Sequence, residues 1–157
     1  MEIRRASVAD AADIAAVHVR TWQAAYQHVF GEERLAQLDV SRRVTGWTRV
    51  LADGESVFVA DDGERVVGFV SVGECELYAI YTLPEAWGSG AGPALMRAAV
   101  EQLRADGCAE PVLWVLEDNP RARRFYEREG WVLDGERKED DFLGVRVAEV
   151  RYSIRLD

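Results

Sequence analysis

The sequence predicts an α/β fold, with a central twisted mixed β-sheet of about six to seven strands and helices on both faces. The hydrophobic pattern has a helical period before Asp53 and a strand-like alternation after Ser56. The fully apolar run Val112–Leu116 is typical of a central strand covered on both faces. These patterns predict the element order β-α-α-β-β-β-α-β-α-β-β in a single domain spanning residues 1–157.

The N-terminal part predicts one short strand followed by helices. Glu2–Ala6 is the strand, and Ser7, followed three residues later by an acid, is a capping-box start for a helix that runs to about Tyr26. A second helical piece is expected to contain Leu35 and Leu38.

The next part predicts a third helical piece and three strands. Ser41 is expected to cap the helix. Two of the strands, Ser56–Ala60 and Arg65–Val72, flank a turn at Asp61–Glu64, where glycine supplies the positive φ of a hairpin. The third strand is Glu76–Thr82.

The last part alternates helices and strands. A helix is expected from about Gly90 to Ala105, and another within Asn119–Gly130, with asparagine as its cap and glycine at its end. Trp131–Leu133 starts a strand, and Arg137–Asp141 is expected to be a charged loop. The final strand, Ala148–Leu156, alternates apolar residues with an exposed set, Glu149, Arg151, Ser153 and Arg155.

Charge and cysteine content narrow the functional classes. The formal net charge is −9, which disfavours binding to nucleic acid or to anionic membranes and favours cationic small molecules. No apolar run is long enough to span a bilayer, and no signal peptide is evident. Cys75 and Cys108 lack the spacing of a metal site, so we expect no metal. Both are expected to be reduced, in a cytoplasmic protein.

Three glycines lie between a predicted strand and a predicted helix, at Gly88, Gly90 and Gly92. A dinucleotide-binding fingerprint would need a glycine where Pro93 stands, and a Walker-type loop would need a lysine. A flexible turn of small residues remains open. The remaining interpretation is that the glycines let backbone N–H groups approach a diphosphate at the helix N-terminus.

A second block of interest follows the strand Val112–Leu116. Asn119 and Tyr126 are two helical turns apart, so they lie on about one face of the predicted helix. Taken alone, this block is also compatible with an ordinary capped amphipathic helix that carries an aromatic pair.

Together, the two blocks resemble the GNAT superfamily of N-acetyltransferases. The family's acetyl-coenzyme A (acetyl-CoA) motif falls on Trp87–Gly92, with Trp87 in place of the usual arginine or glutamine. Its second motif falls on Asn119, Ala122, Phe125, Tyr126, Gly130 and Trp131. The element order also matches, so the resemblance covers nearly the whole chain and implies a GNAT-like fold with acetyl-CoA as acetyl donor.

The resemblance implies a set of cofactor-binding residues: Ala79, Ile80, Tyr81, Trp87, Gly88, Ser89, Gly90, Ala91, Gly92, Asn119 and Arg123. Because Trp87 has one N–H donor and no charge, backbone amides are expected to supply most of the diphosphate binding. Further candidates for the outer phosphates are Arg97, Arg121 and Arg124. Backbone N–H groups near Ile80 would polarise the thioester carbonyl.

The implied catalysis is direct attack of an amine on the thioester, without an acyl-enzyme. Tyr126 would hydrogen-bond the leaving sulfur, and Asn119 would orient the cofactor or a water. Glu76 is the preferred general base among Glu76, Glu117, Asp118, His18 and His28. Residues expected on the acceptor side are Trp22, Tyr26 and Tyr78, for which core packing is the alternative role.

The predicted function is therefore transfer of an acetyl group from acetyl-CoA to a primary amine of a small molecule. Acetylation of protein N-termini or lysines is one alternative, and a non-catalytic acetyl-CoA sensor is another. The sequence leaves a homodimer open and favours neither nucleic acid nor membrane as a partner.

Overall fold

One mixed sheet organises the chain. The computed structural model describes residues 1–157, and its strands are β1 (Glu2–Arg5), β2 (Ser56–Asp61), β3 (Val66–Gly73), β4 (Glu76–Thr82), β5 (Val112–Leu116), β6 (Val132–Phe142) and β7 (Val145–Ser153). The helices are α1 (Ala11–Ala25), α2 (Gln27–Phe30), α3 (Glu32–Leu35), α4 (Val40–Ala52), α5 (Ala91–Ala105) and α6 (Pro120–Arg128). The sheet order is β1-β2-β3-β4-β5-β7-β6, and β4–β5 is its parallel pair. The predicted fold class is confirmed.

Helices cover both faces of the sheet. On one face α1 and α4 pack over β3, where the Trp47 and Phe69 rings lie 4.9 Å apart. On the other face α5 crosses β2, β3 and β4, and α6 lies beside it, with Phe125 packed against Gly92. A smaller apolar cluster joins α1–α3 to the ends of β5 and β7 and contains Tyr26, Phe30, Leu35, Leu116 and Val147.

The parallel pair opens into a gap. β4 and β5 pair only at Glu76–Val112 and Leu77–Leu113. Immediately beyond, Leu77 pairs with Val72 but Ala79 pairs with Ser71, so Tyr78 is an extra residue in β4. Such a bulge bends a strand and interrupts its ladder, and β4 leaves β5 at this point.

A disulfide lies at the closed end of this gap. The structure joins Cys75 to Cys108, with their Cα atoms 5.5 Å apart, so the expectation of reduced cysteines is wrong for this structure. The Cys75 carbonyl also accepts a hydrogen bond from the Val112 N–H at 3.1 Å. The two residues are separated by 33 positions, and only the parallel pairing brings them together.

Three local predictions are also corrected. Asp39, not Ser41, caps α4, because its Oδ1 accepts a hydrogen bond from the Ser41 N–H at 2.9 Å. Leu38 lies outside the short helix α3. The charged segment Arg137–Asp141 is not a loop but part of β6, where pairing with β7 satisfies its backbone. Charged residues on an edge strand also discourage pairing with other chains.

None of the helices is both long enough and apolar enough to cross a bilayer.

Candidate active site

A cavity of about 680 Å³ passes through the gap between β4 and β5. Its lining on the α5–α6 side includes Gly88, Gly90, Arg121, Phe125 and Tyr126. Its lining on the α1–α3 side includes Trp22, Tyr26, Tyr81, Phe142 and Glu149. Because both sets line the same cavity, a molecule lying in the gap can be reached from both faces of the sheet.

The glycine segment presents free N–H groups at the start of α5. Gly88 and Gly90 have φ values of 81° and 92°, which side chains rarely adopt. The N–H groups of Gly88, Gly90 and Gly92 have no acceptor within the protein. They lie at the N-terminus of a 15-residue helix, whose dipole adds to the attraction for an anion.

Trp87 does not use its indole N–H toward the cavity. Its Nε1 donates to the Thr82 carbonyl at 3.1 Å, which holds the ring beside the glycine segment. The Arg121 guanidinium lies 3.7 Å from the ring centroid, in a stacked cation–π contact. A positive charge from α6 therefore lies beside the residue at the motif position that is usually arginine or glutamine.

Arginines on α6 divide into two groups. Arg121, Arg124 and Arg128 line the cavity, and burial, followed by repulsion from the other two, lowers the pKa of Arg121. Arg123 faces away, because its Nε donates to the Tyr152 hydroxyl at 3.0 Å and its Nη1 to the Glu117 carbonyl at 3.0 Å. This corrects the expected position of Arg123.

Ser89 and Ala91 bind each other rather than line the cavity. The Ser89 hydroxyl accepts a hydrogen bond from the Ala91 N–H at 3.3 Å, which supports the start of α5. The other expected cofactor residues, Ala79, Ile80, Tyr81, Trp87, Gly88, Gly90, Gly92 and Asn119, all line the cavity.

Tyr126 and Asn119 meet the cavity from α6. The Tyr126 side chain is buried, its hydroxyl has no hydrogen-bond partner in the protein, and burial raises its pKa. Asn119 Oδ1 accepts from the Ala122 N–H at 3.2 Å, and its Nδ2 donates to the Tyr26 hydroxyl at 3.0 Å. Asn119 therefore caps α6 and joins it to Tyr26, the residue that follows α1, across the gap.

The α1–α3 side of the cavity has aromatic walls. The Trp22 Nε1 donates to the Tyr81 hydroxyl at 3.1 Å, and the Trp22 ring lies 4.8 Å from Tyr26 and 5.9 Å from Phe142. Tyr26 is buried, and that burial raises its pKa. Tyr78, the bulged residue, is 45% exposed and lies at the rim. All three expected acceptor residues thus line the cavity.

None of the five candidate bases lines this cavity. Glu117 pairs with Arg137 at 3.2 Å, and His28 contacts the Asp118 carbonyl at 2.9 Å. His18 accepts from Trp47 Nε1 at 3.3 Å, and burial, followed by the charge of Arg43, lowers its pKa to about 4. Glu76 lies near the closed end of the gap, where burial raises its pKa.

The carboxylate that lines the α1–α3 side of the cavity is Glu149, which was expected on an exposed face; Glu129, immediately after α6, also lines the cavity. It is only 8% exposed and pairs in register with Leu116. Burial raises its pKa, while nearby Lys138 lowers it. The alternation of side chains along β7 shows which residues share a face of the strand, but not which face other elements cover. In the structure, α1–α3 cover the face that carries Val147 and Glu149. The signal available in the sequence was an acid within Val147–Val150, a short segment whose other residues are apolar.

Comparison with known proteins agrees with this geometry. The model of the Acetyltransferase (GNAT) family matches residues 13–131. The chain is 36% identical to the uncharacterised N-acetyltransferase YuaI of Bacillus subtilis, over 94% of this chain and 89% of that protein. It is 34% identical to an uncharacterised N-acetyltransferase of Archaeoglobus fulgidus, over 80% of this chain and 89% of that protein.

Solved structures show the same fold. A GCN5-related N-acetyltransferase from Rhodopseudomonas palustris superposes with a TM-score of 0.83 at 21% identity, covering 99% of this chain and 95% of that chain. The structure of yncA from Salmonella typhimurium, a putative acetyltransferase solved with acetyl-CoA, has a TM-score of 0.76 at 20% identity and covers 100% of this chain and 94% of that chain.

Proposed function

Because this chain belongs to the GNAT family of acetyltransferases, we propose that it transfers the acetyl group of acetyl-CoA to a primary amine of a small molecule. Membership confirms the resemblance, the acyltransferase class and acetyl-CoA as the family's co-substrate. The main support for the proposal is the cavity that passes through the gap between β4 and β5. An amine on one face of the sheet could meet there a thioester whose sulfur lies toward the other face of the sheet.

The glycine segment would bind the diphosphate. The free N–H groups of Gly88, Gly90 and Gly92 point from the N-terminus of α5, where backbone donors and the helix dipole both favour an anion. Arg121 stands beside them on the Trp87 ring. Backbone amides and one arginine thus replace the arginine or glutamine that the family motif places in the loop.

β4 would hold the thioester. Leu83 donates its N–H to the Val67 carbonyl of the neighbouring strand at 2.8 Å. Because backbone N–H groups alternate sides along a strand, the Ile80 N–H points away from β3 and into the gap. A donor there would stabilise the negative charge that develops on the thioester oxygen during attack.

Tyr126 would stabilise the leaving group. The pKa of a free thiol is about 8.5 and that of a free phenol about 10. Full proton transfer from a free phenol to a thiolate therefore costs about 2 kcal/mol. Burial raises the pKa of Tyr126 further, so the hydroxyl keeps its proton and acts chiefly as a hydrogen-bond donor. Its lack of a protein partner leaves that donor available.

The aromatic lining and the charge of the protein favour a small cationic amine as acceptor. Trp22, Tyr26 and Phe142 form the walls of the acceptor side, and the hydrogen bond from Asn119 to the Tyr26 hydroxyl holds one of these rings in place. The net charge of −9 adds a field that attracts a cationic amine.

Thermal unfolding with and without acetyl-CoA tests the binding half of the proposal. Acetyl-CoA at a hundredfold its dissociation constant should stabilise the protein by about 2.7 kcal/mol. Gly90→Val should abolish this shift, because the new side chain would occupy the space before the free N–H groups. Gly107→Val is the matched control, since Gly107 has a φ of 83°, similar open space and a position at the far end of α5.

Release of coenzyme A thiol with a panel of primary amines tests the chemical half. The proposal expects saturable, amine-dependent release. A thermal shift without turnover on any amine would support the sensor alternative, and no shift in the parent protein would contradict acetyl-CoA binding itself.

A further inference from the structure

Glu149 is a buried carboxylate with no assigned role in the binding or leaving-group machinery. Resting on the proposed function, we propose that Glu149 receives the ammonium group of a cationic primary alkylamine and takes its proton before the nitrogen attacks the thioester. Its position, its weak pairing within the protein and its aromatic surroundings support this role.

The position of Glu149 places it on the acceptor side. It shares a face of β7 with Val147, which packs with Tyr26 and Phe30 under α1–α3, opposite to the face of Tyr126. It pairs with Leu116, the last residue of β5, at a level where β5 has already diverged from β4. Glu149, as the base, and the Tyr126 hydroxyl, as the hydrogen-bond donor to the sulfur, therefore lie on opposite sides of the gap.

The carboxylate of Glu149 is poorly satisfied by the protein. It accepts no hydrogen bond, and its one ionic partner is Lys138, with Nζ 3.9 Å from Oε1. The Lys138 side chain is 45% exposed and lies 4.3 Å from the Trp114 ring centroid, which gives it an alternative contact. Because a buried charge is costly unless it is paired, an incoming ammonium would stabilise Glu149.

Aromatic walls complete a cation site. Trp22, Tyr26 and Phe142 line the same end of the cavity as Glu149. Ring faces attract alkylammonium groups, and the apolar surfaces accommodate the carbon chain that bears the amine. One carboxylate among aromatic rings is a site for a cationic primary alkylamine rather than for a neutral or anionic acceptor.

Several charged and titratable groups surround Glu149. Lys138 and Asp140 approach from β6 and Glu76 from β4. The hydroxyls of Tyr26, which follows α1, and of Tyr81 on β4 also lie close enough to interact with its charge. Burial and the two other carboxylates raise the pKa of Glu149, and Lys138 opposes them. A raised pKa makes the carboxylate a stronger base.

The proton inventory of the step balances. Glu149 takes one proton from the ammonium, the neutral nitrogen forms the C–N bond, and the C–S bond breaks with its electron pair on sulfur. The nitrogen then loses a second proton as the amide forms. Of these two protons, one ends on the thiolate and the other passes from Glu149 to solvent, so one proton is released per amide formed.

The test compares Glu149→Gln with Glu149→Asp, Lys138→Met and Glu139→Gln. The last is the matched charge control, because Glu139 lies on the same hairpin, pairs with Arg146 at 3.4 Å and is 50% exposed. The readouts are the thermal shift with acetyl-CoA and amine-dependent thiol release with phenethylamine, 1,4-diaminobutane and glycinamide. With the best of these amines, the pH dependence of kcat/KM is then measured for each variant.

The expected result is a loss of kcat/KM of about 100-fold or more in Glu149→Gln at pH 7, with an unchanged acetyl-CoA shift. For the parent protein, kcat/KM should not change with pH between the pKa of Glu149 and that of the amine, since the reaction starts from the ionised carboxylate and the ammonium ion. For Glu149→Gln, kcat/KM should instead rise tenfold per pH unit up to the pKa of the amine. Glu149→Asp should recover part of the activity, and Glu139→Gln should match the parent protein.

Two outcomes would overturn the assignment. One is a Glu149→Gln variant whose activity lies within threefold of the parent protein with the same pH profile. The other is a loss of activity in Glu149→Gln that Lys138→Met reproduces with the same pH profile, which would indicate a structural ion pair. An intact acetyl-CoA shift without saturable turnover of any primary amine by the parent protein, or a missing acetyl-CoA shift, would instead refute the proposed function.

Discussion

Replacing Arg121 by alanine should weaken coenzyme A binding about tenfold. Arg121 is the cation nearest to the Trp87 position of the acetyl-CoA motif, with its guanidinium 3.7 Å from the ring centroid. A hydrogen bond to a charged group contributes about 1.5–3 kcal/mol. Arg121 is largely exposed and its guanidinium is only partly buried, so solvent screening places its contribution at the low end. About 1.4 kcal/mol corresponds to a tenfold change in dissociation constant.

Isothermal titration with coenzyme A at two salt concentrations measures this effect. The difference between Arg121→Ala and the parent protein should shrink at 1 M salt, where the screening length is about 3 Å. Arg104→Ala is the control for loss of charge, because Arg104 lies in the last turn of α5 and outside the cavity. The reasoning fails if Arg121→Ala binds within twofold of the parent at low salt, or if Arg104→Ala weakens binding equally.

Three further predictions concern catalysis and stability. Tyr126→Phe should lower kcat by about 10- to 150-fold with unchanged coenzyme A affinity; an unchanged kcat would contradict the leaving-group role. Burial and Arg43 lower the pKa of His18 to about 4 from 6.5. Because the folded protein favours neutral His18, the free energy of unfolding keeps the full contribution of this residue above pH 6.5. About 3 kcal/mol of the free energy of unfolding is lost as the pH falls from 6.5 to 4. Urea unfolding of His18→Gln should show a flatter pH dependence across that window, and equal slopes would refute this. Reducing the Cys75–Cys108 disulfide, which closes a loop of 33 residues, should lower the free energy of unfolding by about 4 kcal/mol on the chain-entropy model. The same stability with and without reductant would show that the bond contributes nothing.

Local chemistry accounts for what the sequence predicted well. The caps of α6, with Asn119 before it and Pro120 at its first position, depend on residues adjacent in the chain. The left-handed glycines before α5 are likewise a local backbone requirement. The proposed cofactor end of the site was therefore predictable from two short blocks, because a helix N-terminus and a glycine segment offer backbone N–H groups to an anion.

The positions of Glu149 and Arg121 could not be predicted in the same way. Both are ordinary charged residues in their segments, and their surroundings depend on neighbours far away in sequence. Glu149 is buried because α1–α3 cover one face of β7, and Arg121 is held by a tryptophan from the loop before α5. Neither neighbour can be inferred from a hydrophobic period.

The sequence by itself determined the family, the strand and helix order, and the backbone site for a diphosphate, because these depend on spacing, caps and glycine conformations within short segments. Only the tertiary structure decided which acidic side chains and which arginines line the cavity and that Cys75 meets Cys108. The physical reason is that burial and pairing of charges and thiols depend on which strands become neighbours and on which face each helix covers.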